Sequence, residues 1–87
     1  MSRSAIKTKY KYIHFVEASG ENTHVNGKPA YECKNNRTKT ELAIIFWYPT
    51  WKEYCFTQSA QGVIFNNTCL ADVQSFIEQL NNNGIKP

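Results

Sequence analysis

The chain has 87 residues, 41% hydrophobic and 14% aromatic, with a formal net charge of +3. That length supports one small core, and the apolar fraction excludes a disordered chain, because enough surface can be buried to offset the ordering entropy. No apolar run approaches the roughly 18–20 residues that cross a bilayer, and residues 1–7 lack the apolar segment of a signal peptide, so a cytoplasmic protein without a membrane partner is expected. Charge is unevenly placed. Residues 1–39 carry eight basic and three acidic side chains, residues 40–87 two basic and four acidic. The first half therefore favours anionic partners, although a solvated face with a basic leader (Arg3, Lys7, Lys9, Lys11) explains the same imbalance.

Taken in order, residues 1–8 read as a flexible basic arm, 9–83 as a single domain and 84–87 as a tail. Residues 9–17 are β-branched and aromatic and read as a strand, with Tyr10, Tyr12, His14 and Val16 on one face and Lys11, Ile13, Phe15 and Glu17 on the other. Residues 18–22 form a loop by composition, and Asn26-Gly27 suits the positive φ angles of a tight hairpin. Pro29 cannot donate to a ladder, so the next strand, residues 31–34, starts after it or lies at an edge. A polar turn, Asn35-Asn36-Arg37-Thr38, leads into a strand that Lys39 or Thr40 begins and that runs to Tyr48, apolar on both faces after Glu41 as a central strand would be. Pro49 presets φ for a turn, residues 51–57 return as a strand, 58–62 form a loop, and Val63-Ile64-Phe65 gives a short further strand.

Leu70, Val73, Phe76, Ile77 and Leu80 then mark one stripe of a 3.6-residue period. Asn67 or Thr68 offers the N-cap oxygen, Asp72 suits the dipole in the first turn, and Asn81-Asn82-Asn83-Gly84 supplies a left-handed stop. The expected fold is α+β: a four- to five-stranded antiparallel meander with one C-terminal amphipathic helix on one face.

Residues 46–56 hold half of all the aromatic side chains. With Pro49-Thr50 as a two-residue connection, Tyr48 lies opposite Trp51, Trp47 opposite Lys52 and Phe46 opposite Glu53. One face then presents Ala43, Ile45, Trp47, Lys52, Tyr54 and Phe56, and the other Leu42, Ile44, Phe46, Tyr48, Trp51, Glu53, Cys55 and Thr57. Both faces are apolar but one helix is available. It is expected on the side of Leu42, Ile44 and Cys55, leaving Trp47, Tyr54 and Lys52 to the N-terminal strand, a second subunit or a partner.

No catalytic arrangement is legible. His14 and His24 are ten residues apart with no carboxylate pair at a useful spacing, so no enzyme is expected. Cys33, Cys55 and Cys69 are odd in number and lack a C-x-x-C pair, which favours free buried thiols over a single disulfide and offers neither a metal nor a cofactor site. Binding is better supported. Trp47, Tyr48, Trp51 and Tyr54 can stack a base while Arg37, Lys39 and Lys52 meet phosphate, which suits sequestration of a small anionic nucleotide-derived ligand, across a homo-oligomer. The alternative is a protein–protein inhibitor using the same face, and a third reading is a nucleic-acid-binding module.

Trp47-Tyr48-x-x-Trp51-Lys52-x-Tyr54-Cys55-Phe56, followed by Val63-Ile64-Phe65 and Cys69-Leu70-x-Asp72-Val73-x-x-Phe76-Ile77, resembles a group of short proteins encoded by phages and prophages. Their pattern is W-Y-x-x-W-(K/R)-x-Y-C-F, then V-F, then C-L-x-D-(I/V)-x-x-F-(I/L). Where that group often reads S-x-R-S-G-x-x-L-G in the preceding strand, this chain departs, with Lys39 in place of the glycine. The resemblance covers roughly residues 31–80. It implies a context, an accessory protein acting in the host cytoplasm and often against host defence, rather than an activity.

Overall fold

The computed structural model describes residues 6–19, 24–59 and 62–85, with side chains to residue 82. Strands β1 (Ile13–Glu17), β4 (Tyr31–Asn35), β5 (Glu41–Tyr48) and β6 (Glu53–Gln58) form one antiparallel sheet in the order β1-β4-β5-β6. β2 (His24–Val25) and β3 (Lys28–Pro29) make a separate two-stranded hairpin, and α1 (Asn67–Ile85) closes the chain. The fold is therefore α+β, as the alternation and the terminal helical stripe predict.

The helix lies on the face of Ile13, Phe15, Cys33, Ala43, Ile45 and Tyr54, and seals it with Cys69, Val73, Phe76 and Leu80. This reverses the expectation that Ile44 and Cys55 would be covered. β1 and β4 decide the matter. Their alternation puts Ile13, Phe15 and Cys33 on one side and His14, Glu32 and Lys34 on the other. A helix laid on the second side would have to bury a carboxylate and an ammonium, which costs more than the aliphatic carbons of β5 return. Cys33 and Ala43, both fully buried, also leave room for the Phe76 ring.

The β5–β6 hairpin keeps the predicted faces but not the predicted register. Trp47 pairs with Tyr54 and Tyr48 with Glu53, a shift of two residues that leaves the paired side chains on their expected sides, while Trp51 and Lys52 pass into the turn. The connection is thus residues 49–52, closed by the Lys52 amide donating to the Tyr48 carbonyl at 2.8 Å. The β4–β5 connection is built alike, with the Lys39 amide donating to the Asn35 carbonyl at 2.8 Å. In both turns the closing lysine is left-handed, with φ of 65° at Lys39 and 58° at Lys52. A side chain there costs about 1–2 kcal/mol relative to glycine, against about 0.4–1 kcal/mol of extra chain entropy that glycine brings to the unfolded state. Lys52→Gly is therefore expected to raise stability by about 0.5–1 kcal/mol, read as a higher urea midpoint at unchanged slope.

Other boundaries move for local reasons. Residues 9–12 are not strand: the chain bends at Lys11-Tyr12, so Tyr10 turns inward to meet Phe15 edge to face at 5.8 Å. The described part of the expected arm is held down, since the Lys7 amide donates to Gln79 Oε1 at 2.8 Å and Ile6 packs on the core. Residues 63–65 are not a strand either; Ile64 is 88% exposed while Phe65 rests on Phe56 at 6.0 Å. The N-cap is Asn66, whose Oδ1 accepts from the Cys69 amide at 2.8 Å. That frame buries Cys69 rather than Leu70, which is 44% exposed, and moves Asp72 out of the first turn. Asn81 to Gly84 do not stop the helix, which runs to Ile85. Asn81 faces the sheet instead, its Oδ1 accepting from the Tyr54 amide at 2.7 Å. Among the described residues no helix is long and apolar enough to cross a membrane.

Candidate functional site

The aromatic run divides across the sheet. Trp47 and Tyr54, facing pair partners on the covered side, meet edge to face at 5.6 Å. The β2–β3 hairpin closes over them: the Asn26-Gly27 turn, with φ of 54° and 79°, brings Lys28 Nζ to 4.8 Å from the Trp47 ring centroid. The Tyr54 hydroxyl donates to the Pro29 carbonyl at 2.8 Å. These two rings are therefore structural cover rather than the open surface that the sequence suggests. Their cation is Lys28, not Lys52.

The uncovered side carries the other half of the run. Phe46 and Tyr48 meet edge to face at 6.1 Å, and Tyr48 and Trp51 at 4.9 Å, so three rings form a ladder toward the 49–52 turn. Ile44 and Cys55 extend the apolar strip across the sheet, and Val16 adds an exposed aliphatic on β1. Trp51 is 65% exposed. Charge on this face is nearly balanced, with Glu32 paired to Lys34 at 3.3 Å and Glu53 opposite Tyr48.

Arg37 and Lys39 do not join Trp51 and Lys52. They belong to the turn at the other end of β5, and eight residues of strand separate the two turns by roughly 25 Å. What the Arg37 turn does meet is the N-terminal segment. Asn36 Nδ2 donates to the Tyr10 and Lys11 carbonyls at 2.9 and 3.1 Å, and the Asn36 amide donates to the Tyr12 carbonyl at 2.9 Å. With its amide nitrogen so engaged, Asn36 presents Oδ1 to His14, whose Nδ1 donates to it across 2.7 Å. On the turn itself, Asn35 Oδ1 accepts from the Arg37 and Thr38 amides at 2.7 and 3.0 Å. Lys9, Lys11, Arg37 and Lys39 are thereby gathered at one end of the sheet. Two open depressions of about 350 Å³ each flank Asn36 there, one lined by Lys11, Tyr12 and Arg37, the other by Lys9, His14 and Lys39. The sequence names these lysines and Arg37 but offers no sign that they converge; that follows from the antiparallel β1–β4 pairing and the bend at Lys11-Tyr12.

All three cysteines are free, with Cys33 and Cys69 buried against each other's elements in the core. Burial pushes the Cys33 thiol up to about 12, with Cys69 adding to it. Burial likewise pushes the Tyr54 phenol up to about 12, reinforced by Tyr31 and Glu17. Both groups hold their protons more tightly folded than unfolded, so the stability they contribute is complete below about pH 9 and is lost as pH rises from 9 toward 12. Each pH unit between the two values corresponds to about 1.4 kcal/mol. Urea midpoints are expected to be flat from pH 7 to 9 and to fall steadily above it, and Cys33→Ala should flatten the first part of that fall.

Compared with protein-family models, curated proteins and solved structures, the chain matches none. The functional reading therefore rests on the geometry above.

Proposed function

We propose that this is a non-enzymatic binding protein that docks a protein partner on the open face of its sheet, with Phe46, Tyr48 and Trp51 as the anchors. The observation that carries the reading is that one helix covers one face, leaving a three-ring ladder on the other. Large aromatic side chains supply contact area at low entropy cost and dominate the energetics of protein interfaces. A stacked, phosphate-bearing ligand would need several cations beside the rings; Lys52 shares the Trp51 turn, but Arg37 and Lys39 stand at the far end of β5. A polyanion laid on this face would also meet Glu32 and Glu53. The resemblance to phage-encoded accessory proteins supports a host regulatory or defence complex as the source of that partner.

The test begins with the full chain immobilised beside its Phe46→Glu variant. A host protein retained by the first and lost from the second is purified, the binary complex is rebuilt, and amide exchange is compared with and without it. Slowed exchange in β5 and β6 is the expected result. Slowed exchange confined to α1 or to the β2–β3 hairpin would overturn the reading, as would a particle that sediments as a dimer and becomes a monomer on Phe46→Glu, which would give the face to a second copy.

A further inference from the structure

We propose that the opposite end of the sheet, around Asn36, is a second and separate binding site, for a nucleotide bearing two neighbouring phosphates. Four cationic side chains meet there, in two pairs. Lys11 and Arg37 line one depression and Lys9 and Lys39 the other, and Asn36 forms the shared wall. Among the described residues no carboxylate lines either depression. The nearest acid along the β4–β5 hairpin, Glu41, is turned away, toward the residue that follows β6, where Ser59 Oγ donates to it at 2.6 Å. Like charges are not normally collected without a counter-charge unless something anionic is to be met, since their mutual repulsion costs stability.

The site is also held in shape before any ligand arrives. Asn36 uses its backbone amide and both ends of its side chain to tie the β4–β5 turn to Tyr10, Lys11, Tyr12 and His14. Asn35 Oδ1 fixes the Arg37 and Thr38 amides, and Lys39 Nζ donates to the Asn36 carbonyl at 2.8 Å. Preorganised cations lose less entropy on binding than cations on free side chains. An aromatic surface completes the arrangement: Tyr12 lines the first depression, is 44% exposed, and already attracts a cation, with Lys11 Nζ 5.3 Å from its ring centroid. A ring beside paired cations matches a base attached to phosphates, either in a free nucleoside diphosphate or along a single strand.

The two sources are distinguished by measuring ADP, a short single-stranded DNA and inorganic pyrophosphate against the full-length protein at low and moderate salt. Binding of either nucleotide probe with Kd below about 1 mM is expected. The strand would show affinity falling with salt at a log–log slope of about −1.4 for two phosphates, and ADP a shallower one. The double reversal Lys9→Glu with Arg37→Glu should weaken the bound probe at least about tenfold, while Lys52→Glu, at the distant turn, should leave it unchanged. Tyr12→Ala should weaken the nucleotide more than pyrophosphate. Absence of binding by ADP and DNA overturns the site. The double reversal changes the net charge by −4 and Lys52→Glu by −2, so a loss of binding free energy on Lys52→Glu of about half that of the double reversal would show a net-charge effect and overturn it too, and equal losses of pyrophosphate and nucleotide on Tyr12→Ala would remove the base from the proposal. None of these results bears on the aromatic face, which is read by exchange in β5 and β6.

Discussion

Phe76→Ala is expected to cost about 3–5 kcal/mol and to leave little of the native state. A domain of 87 residues has, at about 0.05–0.15 kcal/mol per residue, roughly 4–13 kcal/mol to lose. Phe76 is fully buried and is the point at which the helix enters the sheet. Its ring stacks on Phe15 at 4.0 Å with an interplanar angle of 7°, and Tyr31 meets its edge at 5.2 Å. Removing it opens a cavity between β1, β4 and α1 that closes poorly, because the sheet is fixed by its ladders and α1 is tied to β6 by Asn81 on the Tyr54 amide. Phe76→Leu should cost much less, about 1–2 kcal/mol, since most of the volume is kept. Urea unfolding followed by circular dichroism separates the two. A Phe76→Ala protein with a near-native midpoint would show that the helix is not the element that holds the sheet.

How much of this was legible depends on which residues act through local pattern and which through partners distant in the chain. β5 stands out over its observed length because eight residues from Glu41 to Tyr48 carry no breaker and end at Pro49. The helix stripe was visible at Val73, Phe76 and Leu80, while the choice between Cys69 and Leu70 needed the position of the Asn66 cap. The covered face was not legible from the β5–β6 hairpin, where both sides are apolar. It becomes so once Glu32 and Lys34 are placed on the same side as Ile44, which requires the β4–β5 register. The register of β6 departs from the sequence expectation because Pro49-Thr50 resembles a two-residue turn, whereas the chain spends Trp51 and a left-handed Lys52 in the connection as well. The basic end was hidden for another reason. Lys9 and Lys11 are more than twenty residues from Arg37 in sequence, and the two segments are brought together by the β1–β4 pairing and by the backbone amide and side chain of Asn36.

Trp51→Ala is expected to weaken the protein partner by about 2 kcal/mol or more, roughly thirtyfold, while changing stability by no more than about 0.5 kcal/mol. Trp51 sits in a turn, is 65% exposed, and touches one ring, Tyr48. Little is lost from the folded state when it is truncated, but a large apolar surface is lost from the face proposed to be covered in the complex. Trp47, four residues earlier, should behave in the opposite way. It lies against Tyr54 and beneath Lys28 on the covered side, so Trp47→Ala should cost about 2–4 kcal/mol of stability and leave partner affinity intact wherever the protein remains folded. Single-tryptophan variants made by Trp→Phe substitution, and measured at partner concentrations that saturate each, also report the two sites by fluorescence: Trp51 emission should be red-shifted in the free protein and shift blue on complex formation, and Trp47 emission should not change. If partner binding instead shifted Trp47, or if Trp47→Ala abolished binding in a folded protein, the interaction would belong to the helix side of the sheet, and the ladder of Phe46, Tyr48 and Trp51 would be surface without a partner.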